Sequence, residues 1–310
     1  MNYIGNIIKE YRCKQGMNRR ELSENICSEK YVYLIEKGER SPSPEIIRLF
    51  SDKLGIDLFE YYQYLNCENP IAVREYINSF NRHHRKSEYI GLKRVLEEAQ
   101  KLPDFQKKPW VFEIELNNLC YIVFVEKNYE KAINETHKVL SDIEPKYLNS
   151  MEIANFYVLL STCYQLKGDL TNAKNVLSLA YKITNSKYRI GRYEQIITTV
   201  GISYITFYYL NGEYESVIRE GTRLFEYQSE CNSYERIQYT YFFLAFAKYK
   251  TGVKDEAIEL FKRGIHSLMH DYKPMDTYYI TMQDVFQELA DSEMMDKQLI
   301  ESFRKAYDVK

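Results

Sequence analysis

The sequence predicts an all-α protein in two parts, and three observations carry that expectation. Apolar residues recur at three- and four-residue spacing through most of the 310 positions. Capping residues punctuate the first 65 residues at short intervals. From about residue 87 onward one pattern returns with a pitch near 40 residues, as stacked helical hairpins require.

Ile4, Ile7, Ile8 and Tyr11 share one face of an opening helix, and Gly16 falls where that helix should end. Asn18 followed by Glu21 has the capping-box spacing for a short second helix, with Leu22 and Ile26 turned inward. Ser28 caps a third helix whose buried positions are Val32 and Ile35. Ser43 caps a fourth, with Pro44 at its first position, where a missing N–H costs nothing. Its apolar stripe is Ile46, Ile47, Phe50 and Leu54, and Gly55 stops it. Asp57 opens a fifth short helix through Leu65.

Five short helices in 65 residues, with a tight turn between the second and third, resemble the helix-turn-helix domain of the phage-repressor (Xre) type. The resemblance rests on Gly16, Leu22-Ser23, Ile26, Val32, Ile35, Glu36, Gly38, Pro42 and Leu54-Gly55. It implies that the third helix enters the major groove of double-stranded operator DNA. Ser28, Glu29 and Lys30 would then face base edges, with Tyr33 one turn along. Lys30 can donate to guanine O6 or N7, Glu29 can accept from cytosine N4, and Tyr33 can pack on a thymine methyl or bond a phosphate. Arg19 can pair with phosphate or stack against the recognition helix. Arg20, Lys37 and Arg40 are expected phosphate clamps, which position without reading sequence. Residues 1–65 hold ten basic and ten acidic side chains, a net of zero. Attraction to DNA must therefore come from placement on one face.

Asn69-Pro70 reads as the cap and first residue of a new helix, so residues 66–72 are expected to link a 1–65 domain to a 73–310 domain. The recurring pattern runs from a turn to a small apolar residue. It appears as Ser87-Glu88-Tyr89 to Leu92, Lys127-Asn128-Tyr129 to Ala132, and Gly168-Asp169-Leu170 to Ala173. It returns as Gly212-Glu213-Tyr214 to Val217 and Gly252-Val253-Lys254 to Ala257. The end points lie 40, 41, 44 and 40 residues apart, and a degenerate sixth hairpin is expected over 275–307. The Gly-x-Tyr-x-x-Ala signature resembles the tetratricopeptide repeat with a stretched period. The resemblance implies a right-handed superhelix with the first helix of each hairpin on its concave side.

In that register the inner face offers Arg74, Asn81 and His84, then Asn117, Tyr121 and Phe124, then Asn155, Val158, Thr162 and Gln165. The fourth unit adds Thr199, Ile202, Thr206 and Tyr209, and the fifth adds Tyr239, Phe242, Phe246 and Tyr249. Asn carries both a donor and an acceptor, so such a ladder can satisfy the backbone of an extended peptide whatever its side chains. Asn is also a poor helix-interior residue and needs a reason to be there. The aromatic end would supply burial energy, although plain interhelix core is an equal reading of Phe242 and Phe246.

Helix-turn-helix plus five or six such repeats, in a chain of this length, resembles the RNPP family of Gram-positive regulators. Leu22-Ser23-Glu24-Asn25-Ile26-Cys27 carries the local likeness. The resemblance implies a cytoplasmic quorum-sensing transcription regulator that answers an imported, secreted signalling peptide, acting as a homodimer or a tetramer. It leaves open a phage or plasmid immunity or conjugation repressor of the same fold, and a regulator whose repeats bind another protein. An enzyme is not expected. No GxSxG, HExxH or P-loop occurs, and adjacent His83-His84 point about 100° apart on a helix. The six cysteines form no CxxC pair and lack His at ligand spacing, so neither metal nor cofactor is expected. No apolar run approaches 18 residues, so no membrane partner is expected either.

Overall fold

The structure, a computed structural model, describes residues 3–86, 88–148, 150–185 and 194–268. Among these there are helices and no β-strand. The expected sixth hairpin over 275–307 lies outside the described residues.

The N-terminal helices begin and end where local chemistry places them. Helix α1 (Tyr3–Lys14) is followed by Gly16 at φ +70°, and buries Ile4, Ile7 and Ile8. Helix α2 (Arg19–Ser23) has a complete capping box: Asn18 Oδ1 accepts from the Glu21 N–H, and Glu21 Oε2 accepts from the Asn18 N–H. Ser28 Oγ accepts from the Tyr31 N–H to open α3 (Glu29–Glu36). Ser43 Oγ does the same for α4 (Pro44–Leu54), which stops on left-handed Gly55. Asp57 caps a 3-10 helix over Leu58–Tyr64. Leu22, Val32, Ile35, Ile47, Phe50 and Leu54 form the core these helices share. Such caps each contribute about 1 kcal/mol, a large share of what so short a helix can muster.

Five hairpins follow. They are α5 (Pro70–Lys86) with α6 (Tyr89–Ala99), α7 (Val111–Phe124) with α8 (Tyr129–Ser141), and α9 (Met151–Leu166) with α10 (Leu170–Thr184). The last two are α11 (Glu194–Leu210) with α12 (Tyr214–Glu230), and α13 (Ile237–Lys250) with α14 (Lys254–Leu268). Ala132, Ala173, Val217 and Ala257, the small residues of the repeating pattern, are all buried. The turn inside a hairpin needs one left-handed residue. Gly168, Gly212 and Gly252 supply it in the last three hairpins, and Lys127 does so at φ +52° in the second. Only glycine adopts that backbone without a Cβ clash, so Lys127 is strained where its counterparts are not.

The chain divides into two compact units. The first comprises residues 1–81 and 94–114, and the second residues 82–93 with the described part of 115–310. The segment 66–72, expected as a linker, lies inside the first unit and is firmly held. Cys67 is fully buried there, and the buried Asp104 carboxylate accepts from the Glu68 N–H at 2.6 Å and the Asn69 N–H at 2.9 Å. Asp104 sits on a 3-10 helix over Pro103–Gln106, and Tyr64 stacks on Trp110 with ring centres 5.1 Å apart. In the second unit, each hairpin packs on the next through α8 on α9, α10 on α11 and α12 on α13. One apolar cluster of this unit joins Ile202, Ile205, Phe242, Phe243, Phe246 and Phe261.

Candidate DNA interface and repeat face

The surface of α3 divides cleanly. Val32, Ile35 and Glu36 are buried, while Ser28, Glu29, Lys30 and Tyr33 are exposed. The buried carboxylate is the unexpected member. Glu36 Oε1 accepts from Arg12 Nε at 2.6 Å, and Glu36 Oε2 accepts from Arg19 Nε at 2.7 Å and Arg12 Nη2 at 3.3 Å. One acid thus ties the ends of α1 and α2 to the end of α3. The hydrogen bond to Glu36 holds the Arg12 guanidinium above its ordinary value. Such a triad resists the loss of any member, because the remaining charge would be left in a dry place.

Arg19 is committed to this triad, and its guanidinium also lies 5.3 Å from the centre of the Tyr33 ring. Both contacts hold the Arg19 side chain against α3. Lys37 Nζ approaches the same ring at 5.8 Å, so Tyr33 stands between two cations. Arg20 and Arg40 are exposed near these elements, with Arg40 just beyond α3. Ser28 is occupied as the cap of α3, which leaves Glu29 and Lys30 as the residues of the leading edge with no ion-pair partner among the described residues.

The expected inner face of the repeats is less uniform than its sequence register. Arg74 belongs to the first unit. Its Nη1 donates to Tyr61 Oη at 2.9 Å, its guanidinium covers the Tyr61 ring at 4.8 Å, and it pairs with Glu60. It therefore clasps α5 to the helix-turn-helix domain. Asn81 is half-buried at the edge of that unit. His84 Nε2 lies 2.7 Å from Asn117 Oδ1, and burial pushes its imidazole down to about 4, against the ordinary 6.5. Asn117 is itself buried, whereas Tyr121 is half-buried beneath Lys93 and Phe124 stacks on Tyr89 at 4.6 Å.

Helix α9 is the open stretch. Asn155, Val158, Thr162 and Gln165 are all partly exposed on one face, although Thr162 and Gln165 also bond within their own helix. On α11, Thr199 and Thr206 are partly exposed, Ile202 is buried, and Tyr209 packs edge-on against Phe243. Tyr239, Phe242 and Phe246 are buried, and Phe242 and Phe246 meet Phe261 of α14 at 5.5 and 6.1 Å. Tyr249 is partly exposed at the far end. Helix α13 scatters its few polar residues around its axis, so its sequence holds no polar stripe from which to tell one face from another.

A recess between α10, α11 and α12 closes its own polar mouth: Arg223 bonds Tyr181 and Asn185, and Tyr181 Oη donates to Glu220 at 3.0 Å. Among the described residues no group of His, Cys, Asp and Glu could hold a metal ion, and no helix is long and apolar enough to cross a membrane. Cys67 and Cys163 are buried thiols pushed up to about 12 by burial, while Cys13 and Cys231 are exposed.

These elements define an all-α protein with an N-terminal helix-turn-helix domain followed by a helical-repeat region. Comparison with known proteins agrees in part and in whole. Residues 8–61 match the helix-turn-helix family, and no curated protein matches the chain. PlcR of Bacillus thuringiensis, solved in complex with the peptide PapR7 and DNA, superposes with a TM-score of 0.66 at 18% identity, over 91% of this chain and 99% of that one. ComR from S. thermophilus, solved with DNA and its signalling peptide ComS, gives 0.53 at 16% identity over 98% of each chain. A putative transcriptional regulator from Listeria monocytogenes EGD-e gives 0.55 at 11% identity over 99% of each. At such identities the likeness is one of fold: a helix-turn-helix domain followed by helical repeats.

Proposed function

We propose that this protein is a peptide-responsive transcription regulator. Its helix-turn-helix domain reads operator DNA through α3, and its repeats hold a short extended peptide. The observation that carries the reading is the build of α3: an exposed edge of Glu29, Lys30 and Tyr33, backed by a buried acid that two arginines lock in place. Base reading needs side chains that are free and a helix that is not. The repeats support the sensing half with the partly open polar strip of Asn155, Thr162 and Gln165 on α9 and Thr199 on α11. Proteins of this fold have been solved holding DNA and a peptide together.

The working form is a cytoplasmic homodimer that grips two half-sites about 34 Å apart, one turn of DNA. Peptide shifts the balance between assemblies by binding one of them more tightly. Selection from a randomised duplex pool tests the DNA half. The wild type should enrich one sequence, and Lys30→Ala combined with Tyr33→Ala should enrich none while melting and sedimenting unchanged. Enrichment of the same sequence by that variant would remove α3 from the reading role.

A further inference from the structure

Arg236 is the odd residue of the repeat region. It precedes α13 as its N-cap with φ +53° and ψ +25°, the left-handed backbone that a non-glycine residue adopts only under strain. Its side chain makes no capping bond. A cation there is disfavoured a second time, since the first turn of a helix carries the positive end of the macrodipole. Nη1 donates to Thr199 Oγ1 at 3.4 Å, and among the described residues no carboxylate pairs with the guanidinium. The side chain is only partly exposed. A strained, uncompensated, half-buried cation at a helix N-terminus is a poor choice for stability, and strain of that kind persists where a ligand repays it.

Its neighbours say where that ligand would lie. Thr199 is on the partly open face of α11, and Thr206, seven residues further, is on the same face. The Thr206 hydroxyl oxygen is buried and has no hydrogen-bond partner. The positive charge of Arg236 also reaches His84 and helps to depress its imidazole, although the two residues belong to the fifth and first hairpins. The start of α13 and the open face of α11 therefore meet at the Arg236–Thr199 contact, with the unused Thr206 hydroxyl two turns along the same helix.

We propose that Arg236 is the anion subsite of this region, taking a carboxylate of an extended peptide while Thr206 bonds the neighbouring backbone. The inference rests on the peptide-receptor reading and adds to it: the ligand must bring an acid, either its C-terminus or an Asp or Glu side chain. A planar guanidinium beside a helix N-terminus matches a carboxylate in charge and in fork geometry. The acid would also relieve the repulsion between Arg236 and the helix end, so binding and strain relief act together.

The probe is a pool of synthetic heptapeptides, made with free or amidated C-termini and with Asp/Glu or Asn/Gln inside. Retention on the full-length protein is read by mass spectrometry. The wild type should retain acid-bearing peptides, and amidation at one of the two acid positions should weaken retention at least tenfold. Arg236→Gln should lose the same factor and become indifferent to amidation. Arg236→Gly is the control for folding, because glycine suits the left-handed backbone: it should melt no lower than the wild type and still lose binding. Peptides held equally well by the wild type and Arg236→Gly would overturn this inference and leave the receptor reading standing. Retention of no peptide by the folded wild type would overturn both.

Discussion

The two compact units are held by different kinds of force. In the first, directional polar contacts do much of the holding: reciprocal caps on α2, the Arg12–Glu36–Arg19 triad, the Arg74–Tyr61 clasp and the Asp104 carboxylate on two backbone N–H groups. In the second, apolar packing dominates, with Phe242, Phe243, Phe246 and Phe261 in one cluster and small residues at each hairpin crossing. Hydrogen bonds and ion pairs fix angles, whereas packed rings fix mainly volume. A helix that must meet base edges needs the first kind of control. A receptor that must change its arrangement around a ligand is better served by the second, because each repeat touches only its neighbours.

Glu36→Ala strikes this contrast hardest. It strands two guanidinium groups, one of them well buried, and should destabilise the first unit by about 3–5 kcal/mol. Chemical denaturation would show the loss, and duplex selection should fail with it. A loss below about 1 kcal/mol would mean the triad behaves as a surface pair. Phe242→Ala should cost about 3–5 kcal/mol through the cavity it leaves. Hydrogen exchange should report loosening of α13 and α14, with exchange in α1–α4 unchanged. Equal loosening in both units would erase the distinction between them.

A smaller effect concerns His84. Its imidazole titrates near 4 in the folded chain and near 6.5 in the unfolded one. The unfolded chain takes up the proton first, so the contribution of the neutral ring is complete above about pH 6.5 and is lost as pH falls towards about 4. Melting curves of the wild type and His84→Gln should diverge over that window and run parallel above it. The smallest effect is a gain: Lys127→Gly should stabilise the second hairpin by up to about 1 kcal/mol, as it removes a left-handed lysine. A loss on that substitution would show that the Lys127 side chain matters more than its backbone.

What the sequence disclosed follows from the range of the interactions involved. Asn18, Ser28, Ser43 and Gly55 act on residues within four positions, so a window a few residues wide contains the whole cause. The hairpin pitch was equally legible, because the turn and the crossing residue recur together. Glu36 and Arg74 were not legible in this way. Their partners lie 24, 17 and 13 residues away, and a helical acid or base has the same local signature whether it meets solvent, ligand or a buried partner. The faces of α13 failed to declare themselves for another reason, since a helix whose few polar residues are scattered around its axis has no periodicity to read. Arg236 left only a faint trace, a basic residue just ahead of an aromatic helix, and its left-handed backbone has no counterpart in composition.

The Asp104 contact bears on how this protein can be cut. Its carboxylate holds the two amides that lead into α5, and Trp110 lies flat against Tyr64. A fragment stopping at residue 65 would strip both from the helices it aimed to isolate, baring Tyr64 to solvent. A piece that keeps both contacts must extend past Trp110.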